Sequence, residues 1–323
     1  MVKRLPAQRR ILNGVALVGM ESRRTVTLLV NQAARRVAAT KLNTPAMARY
    51  IERRGFTVTT VLPASGEEAT FEAHTAAARG DTLLFAAGGD GTLRDCAAGL
   101  SGSDTALAAL PGGTVSVWCR EAGIPRGFRD AVDTHLSGQV TAMDLGLADN
   151  APFLLMASLG WDAAVTRSVP PALKRLIGDA AYVIRAATMA PWARTTAVRW
   201  RTGLAIDEHP LALMVISNTR LYGGRVRFAP EATAVDGCLD FVALCPVGLA
   251  GTARLGWKAL RSRADGDRAT VSGRVTELTV ETAGVPVQLD GDYVGETPMA
   301  FRVAPLALRV SVPAGSLPPI LRG

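Results

Sequence analysis

The chain has 323 residues, a net charge of +8, 48% hydrophobic residues and 20% charged residues. That length suits two domains with sizeable cores, and the balance excludes an intrinsically disordered chain. The positive charge favours anionic partners: nucleotides, acidic lipid surfaces or nucleic acid. Most of it is arginine, which suits bidentate phosphate contacts, although a GC-rich genome gives the same bias.

Four cysteines (Cys96, Cys119, Cys238, Cys245) show no CxxC pairing, which fits a reduced cytosolic protein and argues against structural zinc. Three scattered histidines (His74, His135, His209) give little support to a metal cluster or a Ser-His-Asp triad. No apolar run is long enough to span a bilayer. The start, "MVKRLPAQRRILNGVALVGMESRR", is expected to be a basic extension over residues 1–24. Its faint likeness to a signal peptide is broken by Asn13 and Gly14.

From residue 25 to about 125, strand and helix alternate. "TVTLLVN" is a buried strand, and Ala33 to Arg54 reads as helix with Pro45 near its start or at a break. "FTVTTVLP" is a second strand, followed by a helix from Glu67 to Arg79. "DTLLFAAGG" is a third strand, followed by a helix from Leu93 to Gly99, and "TALAALPGG" a fourth, followed by helix through Arg120. This order predicts a parallel sheet with crossover helices. Ligands in such sheets bind at the carboxyl ends of strands, where Gly88-Gly89 and Gly112-Gly113 both fall. After residue 140 strands dominate. "VTAMDLGLAD", "PFLLMASLG", "TTAVRWRTGLAI", "PLALMVISN", "CLDFVALCP", "RVTELTVET", "VPVQLDG" and "ALRVSVP" predict a β-rich sandwich, interrupted by one helix from about Ala172 to Met189.

The stretch "LLFAAGGDGTLRDCAAGL" (Leu83 to Leu100) combines a strand, a glycine-dense turn and a helix start. Glycines let the backbone approach a ligand closely, and a helix N-terminus offers unpaired N–H groups to phosphate. Asp90 is placed to reach a magnesium ion carried on those phosphates. Thr92 and Asp95 have capping-box spacing, so Thr92 reads equally as a helix start. "LPGGTVSVW" (Leu110 to Trp118) is a second such loop, expected beside the first.

Gly88-Gly89-Asp90-Gly91-Thr92 resembles the signature loop of diacylglycerol kinases, sphingosine kinases and bacterial lipid kinases, and, in the wider superfamily, of NAD kinases and phosphofructokinases. "SLGWDAAV" (Ser158 to Val165), "ISNTRLYGGRVRFAPEATAVDGCLDFVAL" (Ile216 to Leu244) and "QLDGDYVGETP" (Gln288 to Pro298) are similar to later blocks of the lipid kinases, and NAD kinases lack the middle block. The resemblance runs from about residue 25 to 315. It implies an NAD kinase/diacylglycerol kinase-like architecture: an α/β nucleotide-binding domain with a parallel sheet over 25–140, a β-sandwich lipid domain over 141–304, and a segment 305–323 expected to return to the first domain.

By the same resemblance, Gly88, Gly89, Asp90, Gly91 and Thr92 would cradle ATP and its magnesium. Asn31, Thr60, Gly113 and Thr114 would add nucleotide contacts. Asp290 is the candidate base, with Asp90 and Asp292 holding or orienting the metal. Asp236, in "VDGCLD", resembles a structural-metal position and reads equally as a turn aspartate. Departures from the family pattern fall at Gln32 (in place of Pro), Arg94 and Asp95 (in place of Asn-Glu), Ser116 (in place of Asn) and Asp292 (in place of Glu).

In "PPALKRLIGDAAYVIRAATMAPW", Leu173, Leu176, Ile177, Ala180, Ile184 and Ala187 form a stripe, with Lys174, Arg175 and Arg185 off it. With Trp192, Arg194, Arg199, Trp200 and Arg201 nearby, this region suits an anionic membrane surface. No nucleic-acid recognition motif is present, and a homodimer is left open. The expected activity is transfer of the γ-phosphoryl of ATP, with Mg2+, to the hydroxyl of a diacylglycerol-like lipid by a cytoplasmic, peripherally membrane-associated enzyme. The alternatives are a soluble-acceptor kinase such as NAD kinase, or a homologue that binds nucleotide or lipid with little or no catalysis.

Overall fold

The computed structural model describes residues 24–169, 195–223, 226–245 and 270–323. Residues 1–23 of the expected basic extension, the 172–189 helix, Trp192 and Arg194 lie outside the described residues, while Arg24 opens the first strand.

The first unit is built from β1 (Arg24–Val30), α1 (Arg35–Thr40), α2 (Thr44–Glu52), β2 (Phe56–Val61), α3 (Gly66–Ala78), β3 (Leu83–Gly88), α4 (Asp90–Leu100), β4 (Ala106–Pro111), α5 (Val117–Glu121) and α6 (Phe128–Leu136). Every residue of β3 and β4 is buried, as continuous apolar strands covered on both faces should be. The expected helix from Ala33 to Arg54 is two helices. Lys41, in the left-handed region at φ 46°, ends α1. Asn43 then caps α2 by accepting the Ala46 N–H at 2.9 Å, with Pro45 in its first turn.

The second unit comprises β5 (Gln139–Ala148), β6 (Ala151–Phe153), β7 (Met156–Gly160), α7 (Trp161–Ser168), β8 (Thr196–Thr202), β9 (Ala205–Leu211), β10 (Leu213–Ser217), β11 (Leu221–Tyr222), β12 (Val226–Arg227), β13 (Leu239–Leu244), β14 (Thr270–Val275), β15 (Glu277–Val280), β16 (Pro286–Leu289), β17 (Asp292–Glu296) and β18 (Met299–Val312). The single strand expected over "TTAVRWRTGLAI" is a hairpin, turned at Gly203 and Leu204. In β8, Val198 and Trp200 point into the core while Arg199 and Arg201 point outward to Glu281. Trp200 is fully buried, which corrects its expected place at a membrane surface.

Two large sheets carry most of the described strands, and β11 and β12 form a separate two-stranded one. The larger runs β2-β1-β3-β4-β18-β15-β8-β9, with β5 on β18 and β6 on β5; the smaller runs β14-β13-β10-β7-β16-β17. β1 to β4 pair in parallel, as their crossover helices require. β18 touches both units. Its start pairs with β15, and Val310 lies opposite Leu107 of β4 in parallel register.

Its ladder with β5 breaks between Ala304 and Leu308. The buried Asp144 carboxylate repairs that bulge by accepting the N–H groups of Leu306 (2.7 Å) and Gly237 (2.8 Å). Two apolar cores result, one around the parallel sheet and one between the sandwich layers. The last residues pack on the first core, where Ile320 and Leu321 are buried.

Candidate active site

β3 and β4 run side by side with Gly88 opposite Pro111, so both glycine loops leave the sheet at one edge. The Gly112 N–H donates to the Gly88 carbonyl at 2.9 Å. A Cβ on Gly113 would lie 2.8 Å from the Cα of Gly89, so glycine is what lets the two loops meet. Asn31, just past β1, joins them: its Nδ2 donates to Thr92 Oγ1 at 2.9 Å, and its backbone N–H to Ala87 O at 3.0 Å. Thr92 is buried in the first turn of α4, which starts at Asp90 with Gly89 as N-cap. The capping-box reading of Thr92 and Asp95 therefore does not hold, because the helix begins earlier than Leu93. Asp95 instead pairs with Arg94.

Asp90 has a task that its place between glycines did not announce. Its two oxygens accept the N–H groups of Val117 (2.9 Å) and Trp118 (3.0 Å), the first two residues of α5. The carboxylate thus ties one glycine loop to the helix that follows the other. Ser116, immediately before, is held at φ 49° and ψ 67°. Thr114 is exposed at the loop tip, and Thr60 is exposed near the end of edge strand β2.

The β16–β17 turn carries the other two candidate carboxylates, Asp290 and Asp292. Asp290 sits at φ 49° and Gly291 at φ 91°, which folds the turn tightly enough for the Asp290 carboxylate to reach the connection between β6 and β7. There it accepts the N–H groups of Leu154 (2.7 Å), Leu155 (2.9 Å) and Met156 (3.0 Å). Burial pushes its pKa up to about 6, against the pull of those three donors and of Arg94. Asp292 is more open, its side chain 38% exposed, and Oδ2 lies 2.9 Å from where a Cβ on Gly91 would sit. A carboxylate of the second domain therefore abuts the first glycine loop.

The charge at this corner is balanced by Arg94. Its Nη1 donates to the Leu289 carbonyl at 2.8 Å, and its Nη2 lies 3.3 Å from both Asp95 Oδ1 and Asp292 Oδ2. Glu121, at the end of α5, makes a second crossing by accepting the Leu221 N–H at 2.5 Å. Burial raises its pKa while the amides and hydroxyl of residues 219–221 lower it.

Sequence reasoning quoted the segments that hold a third feature but missed their connection. Gln288 Oε1 accepts the Gly291 N–H at 2.6 Å, while Nε2 donates to Ser158 Oγ at 2.8 Å. Ser158 in turn donates to Asp162 at 2.5 Å. Tyr222 joins this group, its phenol held well above the usual range by burial and by the Asp162 carboxylate. Three separated blocks thus brace one turn. Arg36 was also missed: its N–H and Nη1 bond the carbonyls of Gly112 and Pro111, at 2.9 and 3.0 Å, behind the second loop. Its charge in the first turn of the helix that follows β1 was the available signal.

Asp236 is engaged as a turn aspartate. It accepts the Thr233 hydroxyl (2.8 Å) and the Cys238 N–H (3.0 Å), and it pairs with Arg274. Among the described residues no three His, Cys, Asp or Glu side chains converge as a metal cage. Magnesium beside polyphosphates is commonly held by one or two carboxylates together with the phosphates, and the partly exposed Asp292 is the carboxylate at this corner whose chemistry suits that part. All four cysteines are unpaired.

The fold and these loops define a class: two-domain proteins with an α/β unit carrying paired glycine loops and a β-sandwich that closes on them. Residues 25–148 match the diacylglycerol kinase catalytic domain, and residues 156–312 match the YegS C-terminal NAD kinase beta sandwich-like domain. A diacylglycerol kinase of Bacillus subtilis (strain 168) is 30% identical over 254 residues, covering 77% of this chain and 84% of that protein. A Pseudomonas aeruginosa PAO1 protein named "Probable lipid kinase YegS-like" is 36% identical over 256 residues, covering 76% and 81%.

Two solved structures from Bacillus anthracis str. Sterne share the fold. One superposes with a TM-score of 0.74 at 22% identity, covering 92% of this chain and 97% of its own. The other, described as a diacylglycerol kinase, has a TM-score of 0.67 at 18% identity, covering 91% and 98%. The chain belongs to the family of diacylglycerol kinases and YegS-like lipid kinases.

Proposed function

We propose that this protein transfers the γ-phosphoryl group of ATP to the hydroxyl of a diacylglycerol-like lipid. The observation that carries the reading is the approach of Asp292 to Gly91, which brings an acceptor-side carboxylate to the phosphate loop. In-line phosphoryl transfer needs that juxtaposition and little covalent chemistry from the protein. The amides at the start of α4 and the two glycine loops hold the nucleotide's phosphates. Asn31 and Asp90 keep the loops in register. Asp292 and Asp90 would hold or orient a magnesium ion arriving with the nucleotide, and the ion would supply neutralisation of charge on the transferred group.

Between the two acceptor-side carboxylates, the resemblance to lipid kinases implies Asp290 as the candidate base. The three amides on Asp290 favour a positioning role for it, whereas the more open Asp292 favours the place beside the lipid hydroxyl. Asp292 therefore takes the hydroxyl proton in this reading, and Asp290 fixes the turn that presents it. Contact with an anionic bilayer rests on the sequence of residues 170–194 alone. No helix among the described residues is long and apolar enough to cross a membrane.

The test is transfer of radiolabelled phosphate from ATP, with magnesium, into mixed-lipid micelles, with wild type and Asp292→Asn side by side. A labelled lipid made by wild type alone supports the reading. The pairing of Arg94 with Asp292 favours a second one, a protein that binds nucleotide and turns over little. ATP binding without label across a broad panel of lipid alcohols would select it.

A further inference from the structure

Arg94 stands where the family pattern has an uncharged side chain, and its surroundings give it a task. It projects from α4, one turn after Asp90, and its side chain is only 17% exposed. Three groups from two domains meet it: the Leu289 carbonyl at 2.8 Å, Asp292 Oδ2 at 3.3 Å and Asp95 Oδ1 at 3.3 Å. Leu289 lies 195 residues further along the chain. These contacts bracket the Asp290–Gly291 turn on both sides, one at the residue before it and one at the residue after. Burial works against the Arg94 charge, but Asp292, Asp290 and Asp95 outweigh it and hold its proton more firmly than usual.

We propose that Arg94 is a positioning residue: a guanidinium latch that holds the acceptor-side turn against the phosphate loop and fixes the distance between Asp292 and the nucleotide. The inference rests on the kinase reading above. The planar fork is what the site uses, because one nitrogen takes the carbonyl while the other serves two carboxylates. A lysine keeps the charge but serves fewer of these partners. An asparagine, the family's usual residue here, keeps neither the charge nor the reach. Without the latch the turn keeps its own internal bonds but loses its tether to α4.

Arg94→Lys and Arg94→Asn are compared with wild type for lipid phosphorylation and for the exchange of backbone amide hydrogens over residues 289–292. Misplacing one reacting group is worth about 10²-fold in rate, so Arg94→Asn is expected to lower kcat by about that factor with the KM for ATP little changed, and Arg94→Lys to recover part of it. Amide exchange in the turn should quicken in Arg94→Asn and less in Arg94→Lys, with the rest of the β-sandwich unchanged.

Equal kcat values, or a loss confined to the KM for ATP, would overturn the proposal. Should wild type itself transfer no phosphate, the kinase reading fails, and amide exchange alone decides the latch. Unchanged exchange at residues 289–292 then rejects it.

Discussion

Asp90 and Trp118 lie 28 positions apart, yet the carboxylate of one accepts the backbone N–H of the other at 3.0 Å. With Val117 the same side chain completes an N-cap supplied from a different element. Removing such a cap costs about 1–2 kcal/mol. Asp90→Ala is therefore expected to lower the urea midpoint by that equivalent and also to abolish nucleotide binding. Asp90→Asn, which keeps one acceptor oxygen, should lose less stability. A residue that only held a metal ion would leave the metal-free midpoint unchanged in both variants.

Gly113→Ala should separate the two loops. The added Cβ would stand 2.8 Å from backbone at Gly89, closer than such contacts permit, and neither loop has a flexible side chain there to yield. Nucleotide affinity, measured by titration calorimetry, is expected to fall by more than about tenfold, corresponding to more than about 1.4 kcal/mol. An affinity equal to wild type would show that the loops need not touch.

Ser116 occupies the left-handed region without being glycine or asparagine. That conformation costs an ordinary L-residue about 1 kcal/mol or more. Ser116→Gly is expected to recover part of this, about 0.5 kcal/mol, as a raised denaturation midpoint with activity retained. A lowered midpoint would mean that the Ser116 hydroxyl contributes more than its long 3.4 Å contact with Gly113 O suggests.

The two acceptor-side carboxylates should part company on substitution. Asp290→Asn presents an amide group to three N–H donors and loses charge-assisted bonds, so it should destabilise the fold by about 2–3 kcal/mol. Asp292→Asn should change stability by no more than about 0.5 kcal/mol. It should nevertheless lower kcat by about 10²-fold or more, the usual contribution of a general base. Thermal melts and initial rates on the same two variants check both halves, and the reverse pattern would return the base to Asp290.

His135 makes stability depend on pH. It is 1% exposed, its ring nitrogens 3.0 Å from Ser311 Oγ and 2.9 Å from Ala109 O, and burial lowers its pKa to about 4. The unfolded chain, with an ordinary value of 6.5, binds the proton more readily. Its contribution is thus fully present above pH 6.5 and is lost as pH falls toward 4, to the extent of about 3 kcal/mol. Melting temperatures measured from pH 7 to 4 should fall, and His135→Gln should flatten that slope.

The parallel sheet and both glycine loops were legible because continuous apolar strands ending in glycine admit few other readings. Individual helix limits were less so: the α1–α2 break depends on the left-handed Lys41, which has no strong sequence mark. The residues of the site were legible as members of motifs, but their partners were not. Asp90 reads as a ligand in its own loop, while what it bonds is two amides 27 and 28 residues away. Arg94 reads as a departure from the family pattern whose charge could serve phosphates, while what it bonds is the Leu289 carbonyl. The first contact is set by how β3 and β4 bring their loops together and the second by how the two domains close, and local pattern carries no information about either.

The strand β18 also sets an order of events. It lies inside the larger sheet, between β4 and β15, and it is the last strand of the chain. During synthesis, β1 to β4 emerge early but wait for residues 299–312 before the edge of β4 is covered. Neither domain can therefore be completed on the ribosome before the other. A nascent chain stalled before Met299 would carry an open strand edge, the kind of surface that chaperones shield and that aggregates recruit.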